Sequence, residues 1–377
     1  MKIKVFEAFS GVGAQRMALR NIGIEHEVVG VSEIDKFAIK SYEAIHGETV
    51  NFGDISKIDP EELPDFDLFT YSFPCQDLSS AGKQQGMIKG QTRSGLLYEC
   101  EKIIEMKRPK YLLLENVKNL VSKKFKDAFD EWLLFLESLG YSNYWKVLNA
   151  KDYGVPQNRE RVFVVSVLND YNKNYTFPQK KTLETCLKDI LEHQVEDKYY
   201  LSDEVQSRFK PNEKFKDMIE NSVGIIDRKQ SVERVGGCFD TDNSTHQAGS
   251  VYNKEGLSPV LDTMQGGYRQ PCITVVGELE CDGWYDVEKR VHDANGLGVC
   301  VETRNRAKYV SENCVRNYRI RKLTPKECWR LMGFSDSDFS KAKAAGLSDT
   351  QLYKQAGNSI VVPVLEEIFS ELFKGVN

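Results

Sequence analysis

Residues 3–19 read IKVFEAFSGVGAQRMAL. An apolar run rich in Ile, Val and Phe breaks at Ser10-Gly11, turns through Gly13 and resumes with helical spacing. That is a strand, a tight turn and a helix whose first amides point back at the turn. The alternation continues down the first half of the chain. VVGVS, FDLFTY, KYLLLE, YWKVLNA and RVFVVSVL read as strands, several of them apolar throughout, as strands covered on both faces are. Between them DKFAIKSYEAIHG stops at Gly47, SGLLYECEKIIEMK starts at Ser94 and DAFDEWLLFLESLG closes at Gly140, each with helical periodicity. The repetition predicts an α/β fold with a parallel sheet, right-handed crossovers and ligands bound beyond the carboxyl ends of the strands.

With 377 residues the chain can form one large domain and a smaller one. It carries no run of eighteen apolar residues and no basic-then-apolar leader, so a cytoplasmic protein without membrane contact is expected. Nine cysteines without a CxxC pair argue against a zinc site or a disulfide framework. With five scattered histidines, no metal is expected. The net charge of −5 disfavours indiscriminate coating of nucleic acid but leaves room for a local patch. From Arg304 to Arg330 the basic residues outnumber the acids Glu312 and Glu327, and a solvated surface accounts for the run as well as a binding face does.

Beyond about residue 170 the texture becomes polar and Gly-rich. VYNKEGL (251–257) is weakly repeated as VHDANGL (291–297), which suggests a duplicated hairpin unit on a small β-rich domain. Near the end VVPVLEEIFSELF returns to a helical pattern that is expected to pack on the first domain.

Chemistry-bearing residues cluster at the strand ends. Gly11 and Gly13 do not complete GxGxxG, so the dinucleotide fingerprint is not met. Glu33 follows about twenty residues later, where an acid can accept both hydroxyls of a ribose. Asp54, in Gly-Asp-Ile, is a candidate acceptor for a purine amino group. Together these point to a nucleoside cofactor without a pyrophosphate. Cys75 stands in FTYSFPCQDLSSAG (69–82), where a strand gives way to a loop; a buried structural thiol is the default reading. Glu115 ends another strand, and Arg159 and Arg161 open the next. Singly, each is as readily a solvated carboxylate or a surface ion pair.

Taken in order, FSGVGA, GDI, SFPCQDLS, TRSGLL, ENV, QNRERVF, RKLTPKECWRLMGF and QAGNSIVVPVL resemble the DNA cytosine-5 methyltransferases of prokaryotic and phage type. The resemblance implies a Rossmann-like sheet that binds S-adenosylmethionine, with a second, smaller β-rich target-recognition domain. The catalytic part is expected at 1–172, completed by 345–377, and target recognition at 173–344. Cys75 matches the family's nucleophile, which adds to carbon 6 of cytosine and so makes carbon 5 an enamine carbon able to take a methyl group. Glu115 would hold ring nitrogen 3 and the exocyclic amine, and Arg159 and Arg161 the carbonyl oxygen and the Glu. The base must be flipped out of the duplex to be reached, with Gln76, Ser79 and the loop to Arg93 closing over it. Arg316 and Arg319 are candidates for DNA phosphates.

The resemblance carries the cofactor site to Phe9, Gly11, Gly13, Glu33, Ile34, Asp54, Ile55, Asn358 and Ser359. Ile34 stands where many members have Trp, and Val260-Leu261 where a Thr-Leu pair is usual. Double-stranded DNA is the expected partner of a monomeric enzyme, with a cognate restriction endonuclease in the same system but not as a stable subunit. An RNA cytosine methyltransferase and a non-catalytic DNA-binding relative are the alternatives. A nicotinamide oxidoreductase is weakened by the missing GxGxxG.

Overall fold

Strand β1 (Ile3–Ala8) buries every residue but Lys4 and pairs in parallel on both sides, with β2 (His26–Ser32) and β3 (Leu68–Tyr71). The computed structural model to which these elements belong describes residues 2–75, 77–78, 86–88, 91–171, 174–211, 231–240, 248–254, 256–264, 269–276, 292–293, 310–311 and 318–375. β3 pairs in parallel with β4 (Tyr111–Val117), and there the expected parallel run ends. Strands β5 (Tyr141–Asn149) and β6 (Glu160–Leu168) complete a six-stranded sheet of order β2-β1-β3-β4-β6-β5, with β6 antiparallel to both neighbours. A short connection returns the chain from β5 into β6, and strands joined that directly must run antiparallel. The sheet is therefore mixed.

Helix α1 (Ala14–Asn21) follows β1, and α2 (Lys36–His46) follows β2. Asp35 caps α2 by accepting from the Phe37 amide at 2.9 Å, and Gly47 ends it at φ 84°. Helix α3 (Leu97–Lys107) is entered through a 3-10 turn, Arg93–Leu96. The residue that caps this turn is Thr92, which accepts from the Gly95 amide at 3.1 Å, and not Ser94 as the sequence predicts. Ser94 instead donates to the carbonyl of Pro74 at 2.8 Å. Helix α4 (Lys126–Ser138) leads to β5. On one face of the sheet Phe6, Phe69 and Tyr71 stack in sequence, 5.8 and 5.1 Å between ring centres, and Leu97, Ile104, Phe129 and Trp132 cover them.

Glu7, also on β1, is fully buried and accepts from the Tyr42 hydroxyl at 2.7 Å. Burial outweighs that bond and the Arg16 charge and lifts its pKa from 4.5 to about 7. Between those two values the folded chain holds a proton that the unfolded chain has lost, so stability falls as pH rises from about 4.5 to about 7. Glu7→Gln keeps the acceptor and removes the charge. We expect it to abolish a loss on the order of 3 kcal/mol across that window, read by urea denaturation on either side of it.

The second compact unit comprises Pro156–Asn158 and Glu184–Cys328. It includes α5 (Asp203–Gln206) and a five-stranded sheet of β7 (Lys210–Pro211), β8 (Arg234–Gly237), β9 (Ser250–Tyr252), β10 (Cys272–Val276) and β13 (Tyr318–Lys322), in the order β13-β10-β9-β8-β7. β11 (His292–Asp293) and β12 (Val310–Ser311) form a separate parallel pair. Leu201, Val205, Phe209, Val235, Val251, Cys272 and Ile320 make the core of this unit. The second copy of the proposed repeat lies almost wholly outside the described residues.

In the same unit Arg321 meets Glu327 through two 2.8 Å bonds, and both side chains are almost completely buried. Glu327 lies in α6 (Pro325–Arg330) and also accepts from the amides of Thr324 at 2.7 Å and Glu192 at 2.8 Å. Lys326 pairs with Glu192, and Arg319 with Asp197 while its guanidinium lies 3.8 Å above the Tyr200 ring. The described part of the basic run is thus largely paired with acids, and only Arg319 of the two proposed phosphate contacts is described; Arg316 is not.

Residues after Cys328 return to the first unit, which comprises Met1–Val155, Arg159–Leu183 and Trp329–Asn377. Trp329 is buried and donates to Leu352 O at 2.9 Å. Helices α7 (Asp336–Ala344), α8 (Asp349–Asn358) and α9 (Val362–Leu372) follow, and Val364, Leu365, Ile368, Phe369 and Leu372 bury the expected apolar side of α9. Among the described residues no helix is long and apolar enough to cross a membrane, and no cluster of three His, Cys, Asp or Glu could hold a metal ion.

Candidate active site

The carboxyl ends of β1 to β4 open into one cavity of about 310 Å³. Its wall contains Phe9, Gly11, Glu33, Ile34, Asp54, Ile55, Cys75, Arg93, Glu115, Arg159, Arg161, Asn358 and Ser359, all singled out in the sequence. Asn116, which follows Glu115 in the ENV stretch, lines it too, and Gln15, Asp35, Lys354 and Gln355 also line it and were missed. Gln76 and Ser79 lie outside the described residues.

The turn after β1 places Phe9, Gly11 and Gly13 at φ 55°, 55° and 78°, in the left-handed region that costs a side chain. The two glycines serve different ends. A Cβ on Gly11 would meet nothing within 4 Å, whereas one on Gly13 would lie 2.5 Å from His46 Nε2 and 2.7 Å from the Tyr42 ring. Gly13 is absent from the cavity wall; it lets the turn rest on α2. His46 is held neutral there, pushed down to about 3 by burial and then by Arg16, and its Nε2 lies 3.1 Å from Val12 O. We expect Gly13→Ala to cost roughly 2–5 kcal/mol through backbone strain and overpacking, and Gly11→Ala only about 1–2 kcal/mol. Chemical denaturation of the two variants checks the contrast.

At this end Glu33 is fixed on both oxygens. Oε1 accepts from the amides of Ile34 and Asp35, each at 2.8 Å, and Oε2 from that of Gly11 at 2.9 Å. A carboxylate against the Gly11 amide would repel a pyrophosphate, and its remaining lone pairs suit hydroxyl donors. Asp54 accepts from the Ser56 hydroxyl at 2.8 Å and amide at 3.1 Å, which hold its carboxyl below the usual range. Two anchored carboxylates, both acceptors, and an open glycine make a site that fits an uncharged nucleoside group. Ile34 is 74% exposed at the rim.

At the other end the chain leaves β3 through Pro74 and Cys75. Three bonds fix this segment: Asn116 Nδ2 to Phe73 O at 3.0 Å, Ser94 Oγ to Pro74 O, and the Leu78 amide to Cys75 O at 3.0 Å. Glu115, at the end of β4, is buried with Arg161 Nε 3.3 Å from its Oε1. Arg159 is buried as well, and its Nη2 donates to Gly357 O at 3.0 Å and Ser359 O at 2.7 Å.

Burial pushes Glu115 above the usual carboxylate range against the pull of Arg161 and Arg159. Burial, then the Glu115 charge, raises the Cys75 thiol, and Arg161 and Arg159 oppose the rise. Arg159 is lowered to about 9 by burial and by Arg161, and so remains a cation at neutral pH. The set offers a half-buried thiol, a carboxyl able to carry a proton, and two cations to stabilise negative charge.

The family model for C-5 cytosine-specific DNA methylase matches residues 3–374. The chain belongs to that family. Among similar proteins, the Type II methyltransferase M2.ScrFI of Lactococcus lactis subsp. cremoris is 38% identical, with 99% of each chain covered. The orphan methyltransferase M.SPBetaI of Bacillus phage SPbeta is 37% identical over 98% of this chain and 97% of its own. The crystal structure of S. pombe Dnmt2 shares the fold, with a TM-score of 0.64 at 19% identity over 100% of this chain and 99% of that one. This C-5 cytosine-specific DNA methylase is therefore a methyltransferase with the expected α/β fold and second, smaller sheet. DNA is its substrate and S-adenosylmethionine its methyl donor.

Proposed function

We propose that the enzyme methylates carbon 5 of a cytosine flipped out of a specific sequence in duplex DNA, with Cys75 as nucleophile. The observation that carries the reading is the convergence of Cys75, Glu115, Arg159 and Arg161 on the cavity that also holds Glu33 and Asp54. Glu33 would take the ribose hydroxyls of S-adenosylmethionine, Asp54 and Ile55 its adenine edge, and Phe9 and Ile34 the adenine faces. Gly11 lets the backbone approach, and Asn358 and Ser359 form a further wall. Gly13 supports the turn from behind.

In the reaction the Cys75 Sγ–carbon 6 bond forms as the carbon 5–carbon 6 double bond opens. Protonated Glu115 donates to ring nitrogen 3, while Arg159 and Arg161 stabilise the carbonyl oxygen as negative charge moves onto the ring. Bound S-adenosylmethionine supplies an electrophilic methyl group to carbon 5. The methyl–sulfur bond breaks as the carbon 5–methyl bond forms, leaving the thioether. Loss of the carbon 5 proton to a base then expels the Cys75 thiolate, ring nitrogen 3 returns its proton to Glu115, and the aromatic ring is restored.

Sequence readout is assigned to the unit of Pro156–Asn158 and Glu184–Cys328, where Arg319, Arg316 and Val260-Leu261 are the candidate contacts. Gln76, Ser79 and Arg93 are assigned to the segment that closes over the base. The enzyme is proposed to act as a cytoplasmic monomer, alongside and not within any cognate endonuclease. Nucleoside mass spectrometry on DNA from cells without cytosine methylation of their own tests the reading. 5-Methylcytosine is expected with the wild-type chain and absent with Cys75→Ser. Methylation by Cys75→Ser would remove the nucleophile, and methylated RNA beside unmodified DNA would replace the substrate.

A further inference from the structure

Helix α8 ends against the catalytic cluster and begins its hold on the molecule at the cofactor end of the same cavity. Gln355, only 7% exposed, donates through Nε2 to Phe37 O at 3.0 Å and accepts through Oε1 from Ser41 Oγ at 3.0 Å. Both partners lie inside α2. The Phe37 carbonyl already has a place in the helical ladder of α2, so the Gln355 bond is not needed to satisfy an orphan group. The neighbouring Lys354 donates to Asp35 Oδ2 at 2.7 Å, while Asp35 Oδ1 caps α2. Asp35 in turn donates its amide to Glu33. One turn further along α8, Gly357 O and Ser359 O receive the Arg159 guanidinium. These carbonyls stand at the negative end of the helix, where a cation is favoured.

We propose that Gln355 is a positioning residue that sets Arg159 beside Cys75 by locking α8 onto α2, so that the cofactor end and the base end of the cavity move as one piece. The proposal rests on the role given to Arg159 above and adds a residue that touches neither substrate base nor thiol. A neutral side chain acts here only through geometry: Gln355 has no charge with which to influence the thiol directly. Loosening α8 would let the two carbonyls withdraw from Arg159, and the thiolate would lose part of its electrostatic support.

The test is a double-mutant cycle on the full-length enzyme, read as the pH profile of Cys75 alkylation by iodoacetamide, with the other cysteines distinguished by peptide mass spectrometry. Gln355→Met keeps volume and removes both bonds. It is expected to slow alkylation of Cys75 near neutral pH roughly fivefold and move the profile to higher pH. Calorimetric titration should show weaker binding of S-adenosylhomocysteine. In an Arg159→Ala background the same substitution should leave the alkylation profile where Arg159→Ala alone puts it. An equal shift in both backgrounds, or no shift with the wild-type Arg159, overturns the proposal. If Arg159→Ala itself leaves the profile unmoved, the assigned role of Arg159 fails first. Should Gln355→Met not fold, Ser41→Ala, which removes one of the two bonds, takes its place in the same cycle.

Discussion

Cys75→Ala is expected to abolish methyl transfer to duplex DNA, with a loss of more than about 10⁴-fold. Wild-type enzyme given S-adenosylmethionine and DNA carrying 5-fluorocytosine should be trapped as a covalent complex. After the Sγ–carbon 6 bond has formed and carbon 5 is methylated, the fluorine cannot leave as a cation, so the thiolate cannot be expelled. The variant should give no such complex on a denaturing gel. A complex formed by Cys75→Ala would transfer the role to another residue. The pH dependence follows from the same cluster. Burial and Glu115 raise the thiol above its ordinary value, so thiolate content and kcat/KM of the free enzyme rise with pH on the acid side of the optimum. Glu115→Gln separates two effects of one side chain. Where Glu115 is ionised its charge opposes the thiolate, so the substitution moves Cys75 alkylation to lower pH. Methyl transfer nevertheless falls by about 10²- to 10⁴-fold, because Gln has no proton to give to ring nitrogen 3.

Arg321→Ala should lower the stability of the second unit by about 3–5 kcal/mol. The substitution leaves the Glu327 carboxylate buried without its cation, held only by hydrogen bonds such as those from Thr324 and Glu192. Replacing both partners, Arg321→Met with Glu327→Leu, removes the uncompensated charge and should restore part of the loss. Recovery stays incomplete because the two amides that Glu327 accepts lose their partner, at about 1–3 kcal/mol for each buried unsatisfied group. Urea denaturation of the wild type and the two variants measures this order. A double variant no more stable than Arg321→Ala would mean that the carboxylate matters more as a backbone acceptor than as a counter-ion.

That Cys75, Glu115, Arg159 and Arg161 meet at one cavity was legible because they stand at strand ends: an acid or a thiol following an apolar strand has few places to go but the carboxyl edge of the sheet. Family membership and the two-sheet fold followed from the same motifs. Strand direction was not legible at β6. A strand apolar throughout carries no mark of its polarity, and only the short return from β5 makes it antiparallel. Ser94 and Thr92 are equally good caps by residue type; the choice fell to a tertiary bond, Ser94 to Pro74 O, that no local pattern encodes. Gly13 looked like Gly11 until α2 was seen packed on it. Gln355 could have been noticed, since it follows Leu352 by three positions and so falls on the apolar side of α8, where an amide needs a reason. In the described part of the basic run Arg319 meets Asp197, Arg321 meets Glu327 and Lys326 meets Glu192, partners in the fold that charge counted along a sequence does not register.

The first unit is assembled from stretches of chain that the second unit interrupts. A ribosome that has just finished Arg161 has made the thiol, the carboxyl and both arginines, yet neither α8 nor its terminal carbonyls exist. Some two hundred residues remain before Ser359 emerges. Until then the two carbonyls that receive the Arg159 guanidinium are missing and the cavity lacks a wall, so a prematurely terminated chain carries Cys75, the proposed nucleophile, without a finished compartment around it. Competence arrives late in synthesis, and only for a chain that already contains the part proposed to choose the sequence.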